Sequence, residues 1–92
     1  MITVIGGPAS KGLARKIAKK LDAKFVDSQL SLFPDGESKL TLLGKPTQDV
    51  IVVQSVPPPV DSNLLHLLSL ISKAKQTASQ VTAVIPYLCY MR

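Results

Sequence analysis

The run Val50-Ile51-Val52-Val53 is β-branched or apolar at every position, and few architectures accept such a segment. A strand with one face in water alternates apolar and polar residues. An unbroken apolar run therefore belongs to a strand covered on both faces, as in a parallel sheet held between helical layers. Ile2 to Ile5 is a similar apolar run that enters Gly6-Gly7-Pro8, and Val81 to Ile85 reads as another buried strand ended by Pro86. Helical patterns separate these runs, so the chain predicts an α/β fold with a largely parallel sheet.

The first helix is predicted over about Lys11 to Leu21. Ser10 is placed to cap it, and Leu13, Ile17 and Leu21 recur every four positions with Ala14 and Ala18 thickening the stripe. The second follows Pro57-Pro58-Pro59, with Asp61 or Ser62 as its cap. Its apolar positions Leu64, Leu65, Leu67, Leu68, Leu70, Ile71, Ala74 and Ala78 exceed one stripe, which predicts burial on more than one side. Short strands are expected at Lys24 to Asp27, through Leu30 and Leu32, and at Ser38 to Leu43, the last two closing a hairpin.

Composition narrows the function classes. With 92 residues, 46% of them hydrophobic and 18% charged, the chain suits one folded domain with a small core. No stretch approaches the roughly 18 uninterrupted apolar residues of a membrane span, and no secretory signal pattern opens the chain. The expectation is a soluble, cytoplasmic protein with no membrane partner. The single cysteine, Cys89, has no pairing partner and no zinc-type spacing. The net charge of +5 raises the question of nucleic acid. Lys11, Arg15, Lys16, Lys19 and Lys20, however, form the outer face of one amphipathic helix with no aromatic residue interleaved, so no nucleic-acid partner is expected.

Several glycine and histidine patterns stop short of a site. Gly7 and Gly12 have the spacing of a phosphate-binding loop, but Leu13 and Ala14 stand where such a loop needs Lys and Ser or Thr. The single histidine, His66, sits among leucines with no carboxylate or cysteine within one turn and reads as a helix-surface residue. No complete catalytic set and no metal-ligand set is present in these residues.

Two segments carry more chemistry. In Phe33-Pro34-Asp35-Gly36-Glu37, Pro34 fixes φ and Gly36 accepts positive φ, so the chain reverses and Phe33, Asp35 and Glu37 share one end of a hairpin. That end suits a planar ligand with hydrogen-bond donors; it also suits an ordinary turn whose polar residues face water. Tyr87, Tyr90 and Arg92 follow a strand end. They read either as an aromatic-lined loop whose guanidinium clamps phosphate or as tyrosines packing a turn beside a solvated arginine.

Phe33-Pro34-Asp35-Gly36-Glu37, Val52-Val53-Gln54-Ser55, Asn63-Leu64-Leu65, Val81 through Tyr87 and Tyr90-Met91-Arg92, in this order and spacing, resemble the ribose-phosphate pyrophosphokinase (PRPP synthetase) family. The resemblance spans the whole chain but only about the first third of a typical member. It implies a three-layer, phosphoribosyltransferase-like N-terminal domain over residues 1–92, incomplete, with a hairpin insertion and with the C-terminal catalytic domain absent. It implies transfer of the diphosphoryl group of ATP, with magnesium, to C1 of ribose 5-phosphate, giving PRPP and AMP. Phe33, Asp35 and Glu37 would then meet adenine across a subunit interface in a dimer or hexamer, and Arg92 would contact ATP. Family members continue with a metal- and ATP-binding histidine, a basic catalytic loop and an acidic ribose-phosphate loop. None of these is here, so the 92 residues alone are expected to be inactive, with no catalytic or metal residue of their own. A non-catalytic, subunit-associating relative of the family is the alternative.

Overall fold

The computed structural model describes residues 1–88. Six strands and two helices follow in the order β1 (Ile2–Gly6), α1 (Lys11–Leu21), β2 (Lys24–Val26), β3 (Ser28–Leu32), β4 (Ser38–Leu42), β5 (Asp49–Val53), α2 (Val60–Lys75) and β6 (Gln80–Val84). Strands β2, β1, β5 and β6 form a four-stranded parallel sheet in that order, and β3 and β4 form a separate antiparallel hairpin. The chain moves outward from β1 to β2 in one direction and from β5 to β6 in the other. With crossovers of one hand, the two helices must lie on opposite faces.

The side-chain alternation of the central strands feeds both layers. Ile5, Val50 and Val52 point into a core shared with Leu67, Leu70 and Ala74 of α2 and with Leu40 of the hairpin. Val4 and Val53 point the other way, against Ala14 and Ala18 of α1. This is why the β5 run has no polar position. At the opposite end of the sheet, buried Thr3 is stitched to the loop before β5, its Oγ1 accepting the Thr47 backbone N–H at 2.8 Å.

Four details depart from the sequence expectations. On α1 the contact line is Ala14 and Ala18, with Ile17 half-buried and Leu13 and Leu21 exposed. The helix lies so close to the sheet that a Cβ on Gly6 would come within 3.1 Å of the Ala14 Cβ, which leaves no room for leucine on that line. Ser10 does occupy the N-cap position, but its side chain makes no capping bond. The N-cap of helix α2 is Pro59, two residues ahead of Asp61 and three ahead of Ser62, and the helix buries one side only; Leu65 and Leu68 are 65% and 53% exposed. Strand β6 is an edge strand with Thr82 and Ala83 exposed rather than a buried one, because nothing among the described residues pairs with its outer side.

Gly7 and Gly12 have opposite surroundings. A Cβ on Gly7 would fall 2.8 Å from Gln54 Cδ and closer still to its Oε1, whereas a Cβ on Gly12 meets nothing within 4 Å. Gly7→Ala is expected to destabilise the fold by about 1–3 kcal/mol through overpacking. Gly12→Ala is expected to leave stability unchanged or raise it by up to about 1 kcal/mol through helix propensity. Urea unfolding of the two variants checks both signs.

Candidate functional site

The hairpin tip is a three-residue loop. The Phe33 N–H donates to the Glu37 carbonyl at 2.8 Å and the Gly36 N–H donates back to the Phe33 carbonyl at 3.0 Å. Gly36 sits at φ +90°, so the pattern is that of a turn closed by a glycine bulge. Asp35 Oδ1 accepts the Glu37 backbone N–H at 3.0 Å, which braces the loop from inside. The structure thus brings Phe33, Asp35 and Glu37 together as the sequence predicts. It adds that one oxygen of Asp35 already serves the loop.

Exposure along the hairpin grades from body to tip. On the face that carries Ser28, Leu30, Leu32, Ser38, Leu40 and Leu42, Ser28 and Leu40 are buried, Leu30 and Leu42 half-buried, and Leu32 is 73% exposed. Phe33, beyond Leu32, is 48% exposed. The base of the hairpin is therefore held in the core while Phe33 at its end is about half exposed.

A polar corner aims the hairpin. Where the chain leaves the parallel sheet, the Ser28 hydroxyl donates to the Gly6 carbonyl at 2.6 Å in the buried interior, and the Ser28 N–H donates to Asp27 Oδ1 at 2.8 Å. Lys11 Nζ donates to the Ser28 carbonyl at 2.8 Å and pairs with Asp27 at 3.3 Å; Arg15 pairs with the other Asp27 oxygen at 3.3 Å. The Arg15 guanidinium also lies 4.7 Å from the centre of the Phe25 ring. Lys11 and Arg15 are thus not simply members of a solvated basic face. No local pattern announces this, because their partner lies on a different element.

The turns at the carboxyl end of the sheet meet around Gln54, which is fully buried. Its Oε1 accepts the Ala9 N–H at 3.0 Å and its Nε2 donates to Asn63 Oδ1 at 3.4 Å. Ser10 Oγ accepts the Ser55 N–H at 2.9 Å, which is the bond that replaces its expected cap. The Val56 N–H donates to the Tyr87 carbonyl at 2.7 Å. Tyr90 and Arg92, expected to form the phosphate-facing loop with Tyr87, lie outside the described residues. Among the described residues, no group of three or more His, Cys, Asp or Glu side chains is placed to hold a metal ion. No helix among them is long and apolar enough to cross a membrane.

Comparison with known proteins places this geometry. Residues 2–92 match the family model described as the N-terminal domain of ribose phosphate pyrophosphokinase. The ribose-phosphate pyrophosphokinase of Methanobrevibacter smithii is 41% identical over 90 residues, covering 97% of this chain and 30% of the relative. That of Sulfolobus acidocaldarius is 36% identical over 94 residues, covering 97% of this chain and 31% of the relative. Among solved structures, the phosphoribosylpyrophosphate synthetase from Mycobacterium smegmatis superposes with a TM-score of 0.78 at 26% identity, covering 97% of this chain and 30% of that one. The purine phosphoribosyltransferase from Pyrococcus horikoshii, at TM-score 0.55 and 12% identity, covers 98% of this chain and 64% of that one and shares the fold alone. The chain spans about a third of the length of the curated relatives it matches.

His66 differs from its sequence reading. It is half-buried beside a cavity of about 300 Å³ lined by Ser38, Leu40, Leu65 and Ser69. Its Nδ1 is shut off from solvent with no hydrogen-bond partner among the described residues, and burial pushes its pKa below the ordinary 6.5. The unfolded chain therefore binds this proton more readily than the folded one. The corresponding stability is present above pH 6.5 and is lost as pH falls through the lower folded value. His66→Gln is expected to lose less stability than the native chain between about pH 7 and pH 5, as read from urea midpoints at the two pH values.

Proposed function

Because this chain belongs to the family of ribose phosphate pyrophosphokinase N-terminal domains, we propose that it supplies one part of an ATP site. The parent reaction is transfer of the diphosphoryl group of ATP to the C1 hydroxyl of ribose 5-phosphate, giving PRPP and AMP. In this reading residues 1–92 are the first part of the N-terminal domain, and the groups that stabilise the transferring diphosphoryl group belong to sequence outside it.

The observation that carries the reading is the half-exposed Phe33 on a loop closed by its own hydrogen bonds. A ring held in this way stacks on a purine base without ordering a mobile loop, a contact of about 1–3 kcal/mol by analogy with other base–aromatic pairs. Asp35 and Glu37, on the same loop, accept hydrogen bonds from the exocyclic amine of adenine. The lone pairs of Asp35 not engaged by the Glu37 N–H remain for this purpose. The base is bound chiefly by a neighbouring subunit of a homo-oligomer, and Arg92 meets the phosphates of ATP through paired donors. Among the described residues no group of His, Cys, Asp or Glu side chains fits a magnesium ion, which would supply positive charge at the phosphates.

The share of the work done by these residues is binding and orientation. Stabilising charge on the transferring diphosphoryl group needs cations and metal positioned around it, and no metal-binding group of side chains is assembled among the described residues. The isolated chain is therefore expected to form no PRPP from ATP and ribose 5-phosphate in a coupled assay, and measurable turnover would contradict the division of labour. In a chimera carrying this chain in place of the matching segment of the M. smithii relative, Phe33→Ala is expected to raise the KM for ATP roughly tenfold, with that for ribose 5-phosphate within about twofold. Equal rises for both substrates would count against adenine stacking.

A further inference from the structure

We infer that the outward face of α2 is a twofold interface on which a second copy of this chain docks, the two helices running antiparallel with Leu68 near the axis. The face gives a place to the neighbouring subunit invoked above, and the proposal rests on that reading for the existence of a homo-oligomer. Along α2 the exposed positions Asp61, Leu65, Leu68, Ser72 and Lys75 follow one another at alternate intervals of four and three residues. Such spacing draws one stripe along a helix and is that of a seam between two packed helices.

The stripe is apolar in its middle and charged only at its ends. Leu65 and Leu68 lie mostly in solvent, while the opposite side of the same helix buries Leu67, Leu70 and Ala74. No Lys, Arg, Asp or Glu stands on α2 between Asp61 and Lys73. The apolar surface continues onto the hairpin, since Leu65 and Ser38 line one cavity and Ser38 is paired in register with Leu32, which is 73% exposed. A helix side that only meets water carries charge along its length, as α1 does with Arg15, Lys16, Lys19 and Lys20.

Charge selects the occupant. Asp61 stands in the first turn of α2 and Lys75 in the last, about 21 Å apart along the axis at a rise of about 1.5 Å per residue. Leu68 lies midway between them. A twofold axis there turns a second α2 end for end and brings Asp61 of each copy to Lys75 of the other. The same operation sets Leu65 close to Ser72 of the other copy, a large side chain against a small one, and lays the two helix dipoles in opposition. A parallel pairing would instead set like charges together at both ends. Helix α1 is unsuited to the same use, because pairing it with its own copy crowds lysine against lysine.

The test is sedimentation equilibrium of the 92-residue chain from about 10 μM to about 1 mM, the range suited to a small interface. No ATP is present, so the outcome is separate from whether Phe33 meets adenine. The native chain is expected to pass from monomer to dimer. Leu68→Glu sets two carboxylates at the axis and is expected to weaken the dimer Kd at least about tenfold, with the urea midpoint kept because the side chain it replaces is half exposed. A native chain that stays monomeric throughout has some other occupant on this face, and that result overturns the inference. A folded Leu68→Glu chain with the native Kd overturns it equally. Oxidative cross-linking in a Cys89→Ser background is the second measurement, and it uses a conservative change at the axis. Leu68→Cys is expected to form an interchain disulfide at least about tenfold faster than Ser62→Cys, which is exposed but lies off the axis. Equal rates at the two positions overturn the antiparallel pairing.

Discussion

The arrangement depends on the corner at Asp27 and Ser28, where one extended stretch stops being a sheet strand and becomes a hairpin arm. Strand β2 pairs with β1 through Val26, and two residues later the chain pairs only with β4. Such a change of partner exposes backbone groups that need satisfaction, and a two-stranded hairpin has little stability of its own. The buried Ser28 hydroxyl on the Gly6 carbonyl, the Lys11 ammonium on the Ser28 carbonyl and the paired Asp27 carboxylate meet that need. Leu40 then fixes the arm against α2. The direction of the hairpin, and with it the position of Phe33, follows from this corner.

At the carboxyl end of the sheet the buried Gln54 side chain joins the turn before α1 to the first turn of α2. The hairpin carries the aromatic and acidic side chains away from the body to where a second surface can meet them. The membership of the family of ribose phosphate pyrophosphokinase N-terminal domains is consistent with that design.

Much of this was legible in the residues. The unbroken β5 run implied a strand covered on both faces, the α1 limits followed from its period, and Pro34 with Gly36 located the loop that groups Phe33, Asp35 and Glu37. What escaped was set by distance along the chain. The Ala14 and Ala18 contact line depends on how near α1 sits to Gly6, which periodicity does not encode. The pairing of Lys11 and Arg15 with Asp27 and the buried bonds of Gln54 join residues 9 to 45 positions apart, and a polar side chain gives no local sign of such a partner. The Gly7 and Gln54 pair had a faint signal: a glycine-rich strand end facing a glutamine in the neighbouring run. His66, alone among leucines, gave no hint that its Nδ1 would be enclosed.

The central claim is that the Phe33 ring itself meets the base of ATP. The chain has two phenylalanines, Phe25 half-buried beneath Arg15 and Phe33 half-exposed at the tip. In the 4-fluorophenylalanine-labelled chimera with the M. smithii relative, their fluorine signals are assigned among those of the remaining sequence by their loss in Phe33→Leu and Phe25→Leu. The account predicts that the Phe33 signal shifts on adding ATP, and not on adding ribose 5-phosphate, while the Phe25 signal stays in place. A Phe33 signal indifferent to ATP at concentrations that support turnover would contradict it.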